Sequence, residues 1–327
     1  MRSLYLPVVF SVALGASVGL ANAQGAEEFP TKPIRMIVAA SAGGGSDTVG
    51  RIVAEGLTRE LGQRIVVENI PGVGSVAGLT ALSQADPDGY TIGTSNISAI
   101  GINQYLMDLP YKPKEDIIPI GMAMRGPYAL SVRADLPVKT VAELIQYMKD
   151  HPGELNYGSS GIGIPHHMAM ELFMSLTGTK ATHVPYNNSA EVGAGIAAGE
   201  VDVAIDTAAS HAPMVDAGTV RFIAVGCDPV DDVPYLKGLP PIKETIPDMM
   251  CVTSWIGIFA PAGVPEPIVA KLNAAMNKYL SSTEGAERAK KAGWKADPTT
   301  PEQLREVWYT ESDTWAKVIK EANITAK

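Results

Sequence analysis

Cysteine, aromatic residues and positive charge are all in short supply in this chain. Its 327 residues include two cysteines, Cys227 and Cys251, which can pair in an oxidising compartment but do not make a disulfide-dependent scaffold. The formal net charge of −9 argues against nucleic acid or an anionic membrane surface as partner. None of the five histidines, His151, His166, His167, His183 and His211, sits in a metal-ligand pattern such as His-Glu-x-x-His, so no metal is expected. No Gly-x-Ser-x-Gly elbow is present, because Gly158-Ser159-Ser160-Gly161 and Gly45-Ser46-Asp47 have the wrong spacing. Gly72-x-Gly74-x-x-Ala77 follows a strand-like run but is preceded by Pro71 and lacks a well-spaced acid, so a dinucleotide cofactor is not expected either. A 46% apolar, 19% charged composition indicates a folded, core-bearing protein.

One long hydrophobic run does occur, at the very start. Arg2, the apolar stretch Leu4 to Leu20 and the small-residue site Ala21-Asn22-Ala23 before Gln24 read as an export signal cleaved after Ala23. The run is too short and too poorly flanked for a stable membrane span, and no cysteine follows the site to carry a lipid. Residues 24–327 hold no second stretch of spanning length, so an exported soluble protein is expected.

The chain is organised around Asn156-Tyr157-Gly158-Ser159-Ser160-Gly161-Ile162-Gly163-Ile164-Pro165-His166-His167. Proline is at ease in the first turn of a helix, where its missing N–H costs nothing. With Pro165 first in the helix, Ile164 is the N-cap and has no side-chain acceptor for the free N–H groups. Those donors, at the positive end of the helix dipole, form a seat for an anion such as a carboxylate or phosphate. The same order of strand, Gly-rich turn and helix opens the chain. Ile34 to Ala39 leads into Ser41-Ala42-Gly43-Gly44-Gly45-Ser46-Asp47, and Val49, Ile52, Val53, Leu57 and Leu61 then recur at helical spacing up to Gly62. Here Asp47 is expected to be the helix N-cap.

Strands alternate with helices along most of the chain, which implies α/β units with parallel, doubly wound sheets whose ligands gather at the carboxyl ends of the strands. That rule places Ser41 to Ser46 on one rim with Ser95 and Asn96, which end the third strand. Extended segments at 117–122 and 128–132 are expected to be separated by Arg125-Gly126-Pro127. A second unit spans roughly residues 128–250. Three helices then follow Trp255 and Phe259 with no convincing strand between them, the last opened by a capping box at Thr300 and Gln303. They cannot bury their apolar faces alone and should pack back onto the first unit. The chain therefore crosses twice between two domains, 24–125 plus 254–327 and 126–253, with a cleft and hinge between them.

Among the titratable residues, adjacent His166 and His167 point about 100° apart on a helix, so one lines the cleft and the other is structural or solvated. Asp206, ending a strand, either accepts a hydrogen bond from a ligand or caps the next helix. Arg125 lies at a crossing and reads as a solvent-exposed cation or a counter-charge to a ligand.

Ordered motifs then narrow the reading. They are Pro30-Thr31-Lys32-Pro33-Ile34-Arg35, the Gly43-Gly44 loop ending in Asp47, Val66-Val67-Glu68-Asn69 with Pro71-Gly72, and Pro87-Asp88-Gly89-Tyr90-Thr91. They continue with Leu155 to Gly161 and His167, His183-Val184-Pro185-Tyr186, Gly199-x-Val201-Asp202-Val203, and Thr253-Ser254-Trp255 to Pro261-Ala262-Gly263. Over essentially its whole mature length the chain resembles the substrate-binding components of tripartite tricarboxylate transporters, the Bug family. The resemblance implies a two-domain periplasmic binding protein fold of the type II-like, Venus flytrap kind, monomeric, closing on a small carboxylate and delivering it to separate membrane transporter subunits. It implies ligand contacts at Ser41, Ala42, Gly43, Gly44, Ser46, Ser95, Asn96, Ser159, Ser160, Gly161, Ile162, Gly163, His167 and Asp206, largely through backbone amides and bridging water, with no catalytic group and no cofactor.

Two departures bear on the ligand. Ala39-Ala40-Ser41-Ala42 stands where relatives often carry aromatic and proline residues, which should widen the pocket. Ile162 and Ile164 replace residues that are commonly polar, and burying even one isoleucine against a ligand is worth roughly 1.5 to 3 kcal/mol. A carboxylate with an apolar or aromatic body is expected rather than a compact hydroxylated acid such as citrate. The rival readings are a periplasmic hydrolase or transferase using the neighbourhood of Ser160 and His167, and a sensory receptor that presents its closed form to a signalling partner.

Overall fold

The computed structural model describes residues 28–227, 233–321 and 324, so the export signal proposed for residues 1–23 lies outside them. Two α/β lobes share one curled sheet. In the first, β1 (Ile34–Val38) lies between parallel β2 (Ile65–Asn69) and β3 (Thr91–Ser95). The punctuating residues act as the sequence suggests: α1 (Gly45–Leu61) ends at Gly62 in the left-handed region with φ 69°, and α2 (Val76–Ser83) returns the chain to β3.

The long strand β4 (Ile117–Arg133) joins the lobes. The expected break at Arg125-Gly126-Pro127 does not occur. The three residues stay extended because the strand β9 (Thr253–Pro261) pairs along them, with Arg125 opposite Trp255, Gly126 opposite Ser254 and Pro127 opposite Thr253. Up to Pro127, β4 belongs to the first lobe's sheet through β9. From Tyr128 it belongs to the second lobe's, flanked by β7 (Val203–Thr207) and β8 (Val220–Val225). Both passages of the chain between lobes thus run side by side as antiparallel strands.

In the second lobe, β5 (Asn156–Ser159) pairs in parallel with β6 (Thr182–Pro185) and β7. The helices are α3 (Val141–Asp150), α4 (Pro165–Thr177), α5 (Ser189–Ala198) and α6 (Ala208–Asp216). The last three each follow a strand directly, so their N-termini gather at one edge of the sheet. Cys227 and Cys251 form a disulfide with Cα atoms 4.5 Å apart, close to where the chain enters this lobe at Tyr128 and leaves it after Val252.

The C-terminal helices α7 (Glu266–Leu280), α8 (Thr283–Lys291) and α9 (Pro301–Glu321) pack on the first lobe. They are not free of strand: the two-residue β10 (Lys295–Ala296) pairs with Met124 and Arg125 of β4, too short to carry an alternation pattern. The capping box forms, with Thr300 and Gln303 exchanging hydrogen bonds of 2.9 and 3.2 Å. Trp308 and Trp315 of α9 are fully buried, and the Trp308 indole N–H donates to the Ile100 carbonyl at 2.8 Å. Among the described residues, no helix is long and apolar enough to cross a membrane.

Candidate functional site

The first rim loop is shaped by a buried carboxylate. The expected role of Asp47 as N-cap is corrected: Gly44 caps α1, with no side-chain hydrogen bond, and Asp47 is the third helical residue. Its carboxylate accepts from the Gly43 N–H at 2.9 Å, Arg51 Nε at 3.0 Å and Asn69 Nδ2 at 2.9 Å, and Asn69 also donates to the Ala40 carbonyl at 3.1 Å. Burial pushes the Asp47 carboxyl up, but the bonds from Arg51, Gly43 and Asn69 outweigh it and hold it below the usual range. The loop is thus pinned from beneath. Ser41, Ala42, Gly43, Gly44 and Gly45 remain exposed, and Ser46 is half-buried, so the uncapped amide end of α1 faces outward.

Its counterpart in the second lobe matches the sequence reading: Pro165 opens α4, and Ile164 is an N-cap without a side-chain hydrogen bond. Ser159 is fully buried and fixes the turn, donating to the Gly161 carbonyl at 2.8 Å while His183 Nε2 lies 2.7 Å from its Oγ. His167 also turns inward. Its Nδ1 accepts the Gly163 N–H at 3.4 Å, and its ring lies 4.4 Å from that of His183 and stacks toward Tyr157. Burial pushes His167 down to about 4; burial, with the neighbouring His167, pushes His183 down to about 4 as well. Beneath them the Tyr157 hydroxyl donates to Glu171. Ile162, by contrast, is 40% exposed on the crest of the loop, with Ile164 half-buried behind it.

The neighbouring histidine faces the rim. His166 Nδ1 is 2.7 Å from Ser160 Oγ, and its Nε2 is 3.1 Å from Asp206 Oδ1. Asp206 is fully buried; its Oδ1 also accepts from Ser189 Oγ at 2.7 Å and the Thr207 N–H at 2.6 Å. His211, fully buried, closes this network from behind with Nδ1 2.8 Å from Ser131 Oγ and Nε2 3.2 Å from the Ser189 carbonyl. Tyr128, hydrogen-bonded to Ser254 where the two joining strands meet, sets its ring edge-on to His166 at 4.9 Å. Ser160 therefore pairs with His166 and not with His167.

Several close approaches draw the lobes together around these loops. A Cβ on Gly163 would stand 2.5 Å from Leu106 Cδ1 of the first lobe, and the φ of +75° at this position is itself one that other residues rarely adopt. On the other flank, a Cβ on Gly293 would stand 2.5 Å from that of Ala209 in α6. The adjacent Trp294 lies over both Gly45 at the start of α1 and Gly126 in the joining strand. Arg125 is tied down by Asp297 at 2.9 Å and Thr253 at 3.0 Å, so it is not a free solvent-exposed cation. Ser95 is buried at the end of β3, and half-buried Asn96 holds the following turn by accepting the Ser98 N–H at 3.0 Å.

Of the residues singled out from sequence, the two rim loops, Ser160, Ile162 and Asn96 lie at or near the surface around this meeting of lobes. The side chains of Ser159, His167 and Asp206 lie beneath it and hold the loops in shape. Of the two adjacent histidines, of which one was expected to line the cleft, it is His166 that faces the rim; Ser189, Tyr128, Leu106 and Trp294 carry no local signal in the sequence. Ser189 opens α5 behind the N-cap Asn188, and nothing local marks its hydroxyl as a partner of Asp206. Chemically, the arrangement offers two uncapped helix starts suited to an anion and apolar surface at Ile162. It also contains Ser160 hydrogen-bonded to His166, whose Nε2 lies at ion-pair distance, 3.1 Å, from Asp206. An open groove on the first lobe is lined by Arg51, Arg59 and Arg64 among others; none of the loop residues lines it, although its Arg51 holds Asp47 beneath the first loop.

Residues 49–324 match the family of tripartite tricarboxylate transporter family receptors. Protein BugT of Bordetella pertussis is 30% identical over 314 residues, covering 95% of this chain and 96% of that protein. A structure from R. palustris with adipate superposes with a TM-score of 0.82 at 32% identity, covering 91% of this chain and 99% of its own. MatC from Rhodopseudomonas palustris with bound malate gives 0.78 at 29% identity, covering 89% of this chain and all of its own.

Proposed function

The chain belongs to the tripartite tricarboxylate transporter receptor family, the Bug proteins, and from that premise we propose that it captures a small carboxylate with an apolar or aromatic body between its lobes. The observation that carries the proposal is the pair of uncapped helix starts, Gly44 of one lobe and Ile164 of the other, on loops flanking one meeting line. In this reading, amides of residues 41–46 and 159–163 hold the carboxylate, partly through bridging water. Ile162 meets the apolar body. Asn96 and the neighbourhood of Asp206 support the rest of the ligand. The lobes divide at 125/126 and 253/254, so that the paired strands β4 and β9 form the hinge, and closure is favoured only by contacts made to both sides.

A micromolar ligand requires about 8 kcal/mol, within reach of several charge-assisted hydrogen bonds plus apolar burial after ordering costs. Two R. palustris relatives are described with adipate and with malate, which supports the ligand class without choosing a member. Family receptors are periplasmic, and the proposal places this one there as a monomer, cleaved after Ala23. It then delivers its ligand to separate membrane transporter subunits. No cofactor and no chemical conversion are involved.

A thermal-shift screen of residues 24–327 against aliphatic, hydroxylated and aromatic carboxylates tests this. A ligand present at 100 times its dissociation constant adds about 2.7 kcal/mol of apparent stability. A selective shift by an apolar-bodied acid, recovered unchanged, is expected. Tight citrate binding with no response to aromatic acids contradicts the apolar body, and no shift with any carboxylate contradicts the anion seat. The Ser160–His166–Asp206 chain favours a hydrolase as second reading; conversion of the bound compound would establish it.

A further inference from the structure

Serine is ambivalent in recognition: its hydroxyl has one proton to give and two lone pairs to accept with. At Ser160 the surroundings remove that ambivalence. Asp206 Oδ1 accepts from Ser189 Oγ and the Thr207 N–H, and a bare His166 Nε2 3.1 Å away would set its lone pair against that carboxylate, so the favoured arrangement places the proton on Nε2. In a neutral imidazole the other nitrogen is then an acceptor. Ser160 Oγ, 2.7 Å from His166 Nδ1, therefore spends its only proton there. Ser189 does not replace it, because its own proton goes to Asp206 at 2.7 Å. The two serine oxygens lie 3.5 Å apart, a long separation that fits two acceptors facing each other.

Resting on the reading of this cleft as a ligand seat, we propose that His166 and Asp206 make Ser160 an acceptor-only point, so that the ligand offers a hydroxyl or N–H there while its carboxylate lies on the backbone amides. Ser160 is the specificity-determining residue; His166 and Asp206 are positioning residues. A carboxylate placed against Ser160 meets oxygen lone pairs and is disfavoured unless His166 takes up a proton, which would turn Nδ1 into a donor and free the serine proton for the ligand.

The titratable groups facing His166 are Asp206 from β7, Tyr128 from β4 and His211 from α6. Burial holds His166 below the usual imidazole range against the opposing pull of Asp206. Burial also holds His211 low and Tyr128 high. These directions are in keeping with a neutral His166 in its Nε2–H tautomer.

Nitrogen-15 NMR of the histidine rings in ligand-free protein, with His166 assigned from the His166→Gln variant, reads the tautomer directly. Protonated Nε2 with bare Nδ1 at pH 7 is expected; protonated Nδ1 overturns the proposal. Titration calorimetry with malate, which carries a hydroxyl, and adipate, which has no donor at that pH, tests its consequence. Ser160→Ala should weaken malate binding by about tenfold, one hydrogen bond's worth, and leave adipate unchanged or improved. Equal weakening of both overturns the proposal. Because the NMR experiment needs no ligand, absence of all carboxylate binding would count against the ligand seat alone, while a reversed tautomer with intact binding would count against the relay alone.

Discussion

At the scale of single residues, function rests on atoms that are missing as much as on those present. Gly163 sits where a side chain would enter Leu106 of the opposite lobe, in a backbone conformation that favours glycine. Gly163→Ala should therefore leave a folded protein that resists closure, because the added methyl meets Leu106 Cδ1 at 2.5 Å; an overpacking cost of about 1–3 kcal/mol lowers affinity for any hit from the carboxylate screen by about 5- to 150-fold. Calorimetry alongside circular dichroism would check it. The residue-level sequence reading captured the two loops because glycine, serine and proline mark them. It missed the Ser160 to His166 pairing because a contact six positions apart across Gly161 and Gly163 depends on dihedrals no spacing rule encodes. His167, singled out in place of its neighbour, went inward because one helical step of 100° separates cleft from core.

Among the elements, the last helix carries a pH-sensitive contact with the joining strand β9. Glu311 of α9 accepts the Trp255 indole N–H from β9 at 2.9 Å, and burial pushes its carboxyl up to about 7 from an ordinary 4.5. Between those values the folded state binds a proton that the unfolded state has lost, so stability falls as pH rises from 4.5 to 7 and levels off above. The full effect is up to roughly 3 kcal/mol. His167 and His183, held near 4 instead of 6.5, act in the opposite sense: their contribution is lost as pH falls through that window. The difference in urea-unfolding free energy between wild type and Glu311→Gln isolates the carboxyl and should grow steadily across pH 4.5 to 7.

Element boundaries were legible wherever Gly or Pro ended a periodic run, as at Gly62, Gly178 and Gly199. The same signal misled at Gly126-Pro127. There, pairing with β9 and the cover of Trp294 keep extended a stretch that reads as a break. Two-residue β10 was illegible for the opposite reason, since it has no run to detect.

For the whole molecule, the disulfide and the two joining strands are the long-range constraints. Cys227–Cys251 closes a loop between positions 24 apart in sequence, worth about 3 kcal/mol in the unfolded-chain entropy model. The Cys227→Ser, Cys251→Ser double variant should lose that much in denaturant unfolding while retaining ligand binding. Neither cysteine could be assigned from sequence, because pairing of two thiols is decided by geometry. The two-lobed plan was readable from the order of strands and helices, and the structure adds that one continuous strand, β4, belongs to both lobes.

Whether a carboxylate is held between loops of different lobes is decided by a crystal structure with the strongest hit from the carboxylate screen. The carboxylate is expected within hydrogen-bond distance, directly or through one water, of amides in both 41–46 and 159–163, with its apolar body against Ile162. A ligand bound by one lobe alone, or in the groove beside Arg51, Arg59 and Arg64, would contradict that placement.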